Sequence, residues 1–382
     1  MIDRRKKILV IGMADSVHVA RWLSQFADQA IDFTLFPSSP HRRIHPVIKQ
    51  LSDAYTGKMT VVIKPALMRW LAFPLSALDL LFANVFRSRL LRRVIENETF
   101  DLIHVMELQH AGYLLVDAGL APNLPKVFIT NWGSDIYWFQ QFPKHKRKII
   151  ELLDIASAYS AECQRDLEIV RSLGYSRVVM PVIPNSGGVY VNDLPKNPSP
   201  PSQRIKIIIK GYTGFVGRAL TTLRAVEEAA DCLDGYEVLI YSASLRTRLR
   251  ALVLRFKHRV TVRIIKKRTP HAVMLRHFSE SRVYIGISLS DGISTSLLEA
   301  MATGCYPIQT GTSCASEWLT STSGAIVDPH DINEISHRIR EAITSDTLVD
   351  EAAKANIAIV QLRASTQVVS SVALGFYEDL LP

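Results

Sequence analysis

Two carboxylates eight positions apart, Asp291 and Glu299, bracket a small polar loop, Ser290-Asp291-Gly292-Ile293-Ser294-Thr295-Ser296. The apolar run from Tyr284 to Leu289 predicts a strand entering this loop. Leu297 to Thr303 predicts a helix that stops at Gly304, and a second strand begins at Tyr306. Asp291 then stands at a strand end and Glu299 one turn into a helix. Gly292 allows close approach of the backbone to a ligand. The unpaired N–H groups at a helix start favour an anion, so the backbone of Gly292, Ile293, Ser294 and Thr295 is a candidate phosphate cradle. Carboxylates accept from hydroxyls. The combination suits a phosphorylated ligand that also carries hydroxyl groups.

Buried phosphates need cations. A second loop supplies them: Lys210-Gly211-Tyr212-Thr213-Gly214-Phe215-Val216-Gly217-Arg218, directly after the apolar run Ile205 to Ile209. Lys210 and Arg218 are the candidate diphosphate ligands, with Gly211 as a point of close backbone approach. The loop is neither a P-loop nor a GxGxxG turn. Three further loops in the first half follow apolar runs. One holds Ser16 and His18, with Asp15 or Ser16 also able to cap a helix. Another holds Glu107 and His110. The third, Thr130-Asn131-Trp132-Gly133-Ser134-Asp135-Ile136, offers Gly133 for a tight turn and Asp135 for hydroxyls or for a helix cap.

The stretch Leu298-Glu299-Ala300-Met301-Ala302-Thr303-Gly304 resembles the signature of retaining GT-B glycosyltransferases of family 4. That signature reads Glu, seven residues, Glu, then Ala-Met-Ala-x-Gly. Asp291 stands in place of the first Glu. The resemblance implies that Asp291 contacts the donor sugar and Glu299 the nucleotide ribose. Ser16 to Trp22 resembles a Ser-x-His-x-x-Arg-Trp opening of some members, which turns His18 toward the ligand. Trp132 to Asp135 resembles a Gly-Ser-Asp loop of the same family. In the second half, family members carry a Gly-Arg pair and a Lys about five residues on. Here Tyr212 takes the Arg position, and Arg218 aligns best with the Lys after one inserted residue. The resemblance implies Arg218 as the first diphosphate ligand and Lys210 as the second.

The elements that must position these loops alternate strand and helix, which predicts right-handed βαβ units and doubly wound parallel sheets. In the first half the strands are Lys7 to Gly12, Ile31 to Phe36, Phe100 to Met106, Lys126 to Thr130 and Val178 to Ile183. In the second they are Ile205 to Ile209, Tyr236 to Tyr241, Val260 to Ile265, Val283 to Ile287 and Tyr306 to Gln309. The expected fold is α/β of the GT-B type, two Rossmann-like doubly wound domains facing across a cleft at their carboxyl strand ends. The expected division is 1–187, a Pro/Gly/Ser-rich linker 188–204, 205–365, and a C-terminal helix 366–382 crossing back to the first domain.

The chain has 382 residues, 48% of them hydrophobic, and a formal charge of +9. A basic balance points to an acidic partner: nucleic acid, an anionic membrane surface or a phosphorylated ligand. Nucleic acid is disfavoured, because the basic run 245–268 interleaves only Phe256 among its charges. Cys163, Cys232, Cys305 and Cys314 show no CxxC pairing and no metal-ligand spacing, so no metal site is expected and the thiols read as reduced. No secretory leader is expected from the short apolar run at Ile8 to Met13. Residues 66–86 include Arg69, Pro74, Asp79 and Asn84, too polar for a membrane span. With the basic continuation to Ile95, the segment 66–95 reads as amphipathic helix able to lie on an anionic membrane face.

The resemblance implies a retaining transferase that moves a sugar from a nucleotide-diphosphate donor to a saccharide or lipid-linked acceptor, in cell-envelope polysaccharide assembly on the cytoplasmic face of the membrane. It implies no cofactor and no metal. Three rivals stand beside it: a non-catalytic GT-B-like scaffold, favoured by Asp291 and Tyr212; a nucleotide-sugar epimerase; and a dinucleotide-dependent oxidoreductase, disfavoured by the lack of GxGxxG after the first strand.

Overall fold

A computed structural model describes residues 5–39, 43–54, 59–61, 84–119 and 124–381. The chain divides into two units, 1–187 with 369–382, and 188–368. In each, apolar runs buried on both faces form the central strands, as parallel sheets covered by helices require.

The first unit holds β1 (Lys6–Gly12), β2 (Ile31–Pro37), β3 (Met59–Val61), β4 (Leu102–Met106), β5 (Lys126–Thr130), β6 (Ala158–Ser160) and β7 (Val178–Val179). Their order is β3-β2-β1-β4-β5-β6-β7, parallel throughout. Chain order reverses between β1 and β4, where Ile11 pairs with Val105. Loops leaving the two strands at such a switch point diverge and open a crevice. The loops of His18 and Glu107 leave from there.

The second unit holds β8 (Lys206–Lys210), β9 (Glu237–Tyr241), β10 (Thr261–Ile264), β11 (Val283–Gly286), β12 (Tyr306–Thr310) and β13 (Ala325–Val327). Their order is β10-β9-β8-β11-β12-β13, again parallel. Its switch point lies between β8 and β11, where Ile209 pairs with Ile285. The strand predicted over Tyr284 to Leu289 ends at Gly286, and the following helix runs Thr295–Ala302 rather than Leu297 to Thr303. Residues 188–204, read from composition as a linker, pack into this unit. Arg204 is buried and donates to the carbonyls of Ser199 (2.7 Å), Ser281 (3.0 Å) and Thr303 (3.0 Å).

Residues from Val369 onward join the first unit through Phe376 and Tyr377. Trp22 Nε1 donates to the Tyr377 hydroxyl at 2.9 Å, and His104 Nδ1 lies 2.8 Å from the same oxygen. His104 Nε2 lies 2.8 Å from Thr130 Oγ1. Burial without a countercharge pushes the His104 imidazole down to about 3. A depressed histidine stabilises the fold above the unfolded value near 6.5, and that stabilisation is lost as pH falls toward 3. The His104 contribution to unfolding free energy should therefore fall by about 1.4 kcal/mol per pH unit below that value. Asp135, whose buried carboxyl is raised, acts with the opposite sign. The contribution is read as the difference between wild type and His104→Asn in urea unfolding at several pH values. Parallel curves would contradict the assignment.

The reduced-thiol reading holds for Cys232 and Cys305, which are free, and not for Cys163 and Cys314, which are not free thiols. Among the described residues no helix is long and apolar enough to cross a membrane. Of the segment 66–95, residues 66–83 lie outside the described residues. Helix Val85–Asn97 covers most of the remainder. It buries Leu91 and exposes Phe86 and Leu90 beside Arg89 and Arg93.

Candidate functional site

The second unit gathers its candidates at the β8/β11 switch point. Lys210 is the last residue of β8, and Asp291 lies in the loop beyond β11. Lys210 Nζ stands 3.3 Å from Asp291 Oδ2, with both side chains 28% exposed. Burial pulls the Lys210 ammonium down, but the Asp291 carboxylate outweighs it and leaves it above the ordinary lysine value. The result is a fixed cation at the strand ends.

The 211–218 loop is bound to this place by its backbone. Leu289 N donates to Val216 O (2.8 Å) and Arg218 N to Ile287 O (3.1 Å). Gly211 serves packing: a Cβ there would lie 2.6 Å from Ile240 Cγ2 and 2.8 Å from the Tyr241 carbonyl. Tyr212, in the position of the family's Arg, folds over Gly214, where a Cβ would meet its hydroxyl. Arg218 caps helix Ala219–Glu228, and its guanidinium donates back to Gly217 O at 3.0 Å. The expectation ranked Arg218 first among the cations. Lys210 meets Asp291, and Arg218 stays on the adjoining loop as the other candidate cation.

Helix Thr295–Ala302 starts at Ser294, whose side chain makes no capping bond. Glu299 is buried on this helix, and its Oε1 lies 2.7 Å from His271 Nε2. His271 opens helix His271–Ser279 directly after Pro270. A pocket of about 160 Å³ is lined by Tyr241, Lys266, Lys267, His271, Ser296 and Glu299, among others. Burial pushes the Tyr241 and Tyr284 phenols up, so both remain neutral donors. His271 was not found from sequence, since no motif spacing marks it; the Pro–His start of a helix was its one signal. Arg263 is paired with Glu237 at 2.8 Å, while Lys266 and Lys267 line the pocket. A larger cavity of about 490 Å³ lies away from this switch point, beside Arg204, Asp350 and Ile357.

In the first unit, Ser16 caps helix Val17–Ser24 by accepting from His18 N (3.1 Å). The His18 ring stands 5.1 Å from that of Trp132. Glu107 has φ 78° and ψ 154°, a region nearly reserved for glycine that costs about 1–3 kcal/mol. Its carboxylate holds the turn by accepting from the N–H of His110 and of Ala111 (2.9 Å). His110 Nδ1 lies 3.2 Å from that carboxylate, and this bond raises the His110 imidazole against the pull of burial. Asp135 is buried. Its Oδ1 accepts from Trp132 N (2.9 Å) and its Oδ2 from Leu108 N (3.2 Å). Burial, then the charges of Glu107 and Asp166, push its carboxyl well up. With both oxygens engaged by backbone, Asp135 clamps the ends of β4 and β5 together and positions the loops that carry Glu107 and Trp132.

Residues 7–158 match the family described as Glycosyl transferase 4-like, and residues 222–358 match Glycosyl transferases group 1. Solved structures share the fold at low identity. A sucrose-phosphate synthase from Thermosynechococcus elongatus is 12% identical over 98% of this chain and 99% of its own, with a TM-score of 0.74. Anabaena Alr3699/HepE in complex with UDP-glucose is 14% identical over 98% and 100%, at 0.72. A variant of S. aureus TarM in complex with fondaparinux, alpha-GlcNAc-glycerol and UDP is 11% identical over 97% and 99%, at 0.71. These likenesses establish a two-domain GT-B fold. No curated protein matches the chain.

Proposed function

This chain belongs to the group 1 glycosyltransferases, and we propose that it transfers a sugar from a nucleotide-diphosphate donor, with retention of anomeric configuration, to a saccharide or lipid-linked acceptor. The observation that carries this reading is one constellation in the second unit: Lys210 against Asp291 at the strand ends, and buried Glu299 on the next helix. Solved relatives hold UDP or UDP-glucose, which supports a nucleotide sugar as donor.

The chemistry follows from charge. As the bond between the sugar and the diphosphate breaks, negative charge grows on the leaving phosphate. The Lys210 ammonium and the positive dipole end of helix Thr295–Ala302 stabilise it, without a water shell to reorganise. Arg218 lies on the adjoining loop as a second cation. Glu299 takes the ribose hydroxyls and Asp291 a hydroxyl of the sugar, one methylene farther back than a glutamate would reach. Because cations of the chain serve the diphosphate, transfer is expected to proceed in a chelator. Hydroxyl-binding groups of the first unit, Glu107, His110 and His18, are assigned to the acceptor. A role in cell-envelope polysaccharide assembly on a cytoplasmic membrane face rests on the basic charge and on the exposed Phe86, Arg89 and Leu90 of the 66–95 segment.

The test is to incubate the chain with nucleotide sugars and oligosaccharide or lipid-linked acceptors, in the presence of chelator. Nucleoside diphosphate release and the anomeric configuration of the product are read by NMR. Acceptor-dependent release with retention is expected. Inversion would contradict the mechanism. Donor interconversion without acceptor would indicate an epimerase, and nucleotide binding without turnover a scaffold.

A further inference from the structure

Helix Leu245–Lys257 presents an apolar stripe to solvent. Leu245, Leu249, Leu252 and Phe256 are 73%, 58%, 47% and 76% exposed. Their spacing of four, three and four residues places them in one line along the helix. The core is served by the other side, through Thr247, Ala251 and Leu254. At 100° per residue, Arg248 and Arg255 border one edge of the stripe and Arg246 and Lys257 the other. The helix carries five cations, Arg250 being the fifth, and no carboxylate. Arg250 alone among them is drawn inward, to Glu227.

We infer that this face of the second unit docks on an anionic lipid bilayer, with the four apolar side chains entering the headgroup–acyl boundary and the flanking arginines meeting lipid phosphates. A narrow apolar stripe between basic borders is the pattern of a helix lying in an interface plane. Charge complementarity selects this occupant. A second copy of the same face would bring two sets of uncompensated cations together. Nucleic acid would leave the leucines in contact with a phosphate backbone. This surface is separate from the 66–95 segment, lies in the other unit, and does not depend on the transferase reading.

The test uses the full chain and vesicles of phosphatidylcholine, with and without phosphatidylglycerol, in co-sedimentation at low and raised salt. Wild type should partition onto the anionic vesicles and release with salt. A Leu249→Ser, Phe256→Ser double variant should partition about tenfold less, with an unchanged melting temperature because both side chains are exposed. An Arg248→Gln, Arg255→Gln variant should lose the preference for phosphatidylglycerol. Wild-type partitioning by both variants would overturn the inference and move binding elsewhere on the chain. Failure of wild type to bind vesicles would overturn it too. So would concentration-dependent self-association that the Leu249/Phe256 variant abolishes, since that would make the occupant a second copy.

Discussion

Replacing Lys210 by methionine should lower kcat by about 10²–10³-fold, the usual result of removing one preorganised group aimed at developing charge. The side chain stays long and apolar, so β8 and its end should keep their packing. Two effects act together. The leaving diphosphate loses its rigid cation, and Asp291 loses the partner at 3.3 Å that orients it. Affinity for the donor should fall less than kcat, because phosphate charge grows between ground and transition state. Lys210→Arg should recover part of the rate, although a fork-shaped guanidinium cannot replace a point charge without shifting. Steady-state kinetics with the donor held in excess would read both quantities. Unchanged kcat in Lys210→Met would move the diphosphate role to Arg218, whose guanidinium now rests on its own loop.

Glu299→Ala should weaken nucleoside diphosphate binding by about ten- to a hundredfold. Removing a charged acceptor leaves ribose hydroxyls unpaired and His271 without the oxygen it meets at 2.7 Å. Glu299→Gln should be milder, since an amide oxygen still accepts. Titration calorimetry of both variants separates this loss from catalysis. Wild-type affinity in Glu299→Ala would remove the ribose assignment. His271→Ala, tested beside them, is expected to loosen Glu299 rather than to abolish binding.

Much of this site was legible because it rests on continuous apolar runs. β1, β4, β8 and β11 are buried on both faces, so their residues need no alternation and stand out as unbroken stretches. Loops at the ends of such strands announce their place, and Lys210, Asp291 and Glu299 followed from it. The short strands β3, β6 and β13 were missed, because three residues carry no period. The Trp22–His104–Tyr377 network was invisible for another reason: its third member comes from a helix more than 270 positions away from His104. Helix Leu245–Lys257 shows a third limit. It has apolar residues on two sides, and spacing alone does not say which side the sheet covers. Ala251 and Leu254 went inside, leaving the bulkier leucines and Phe256 outside. At Asp135 the residue type suggested either hydroxyl binding or a cap, and the backbone N–H groups of Leu108 and Trp132 that its two oxygens accept come from loops that only the fold brings together.

The Lys210–Asp291–Glu299 constellation is assigned to the nucleoside diphosphate of a sugar donor. Thermal unfolding of wild type and Glu299→Ala against UDP, GDP, ADP and TDP, with a nicotinamide dinucleotide as control, tests it most directly. One nucleoside diphosphate at a hundred times its Kd should stabilise wild type by about 2.7 kcal/mol, and the same concentration should do far less for Glu299→Ala. Stabilisation by the nicotinamide dinucleotide instead, or equal stabilisation of both proteins, would contradict the claim.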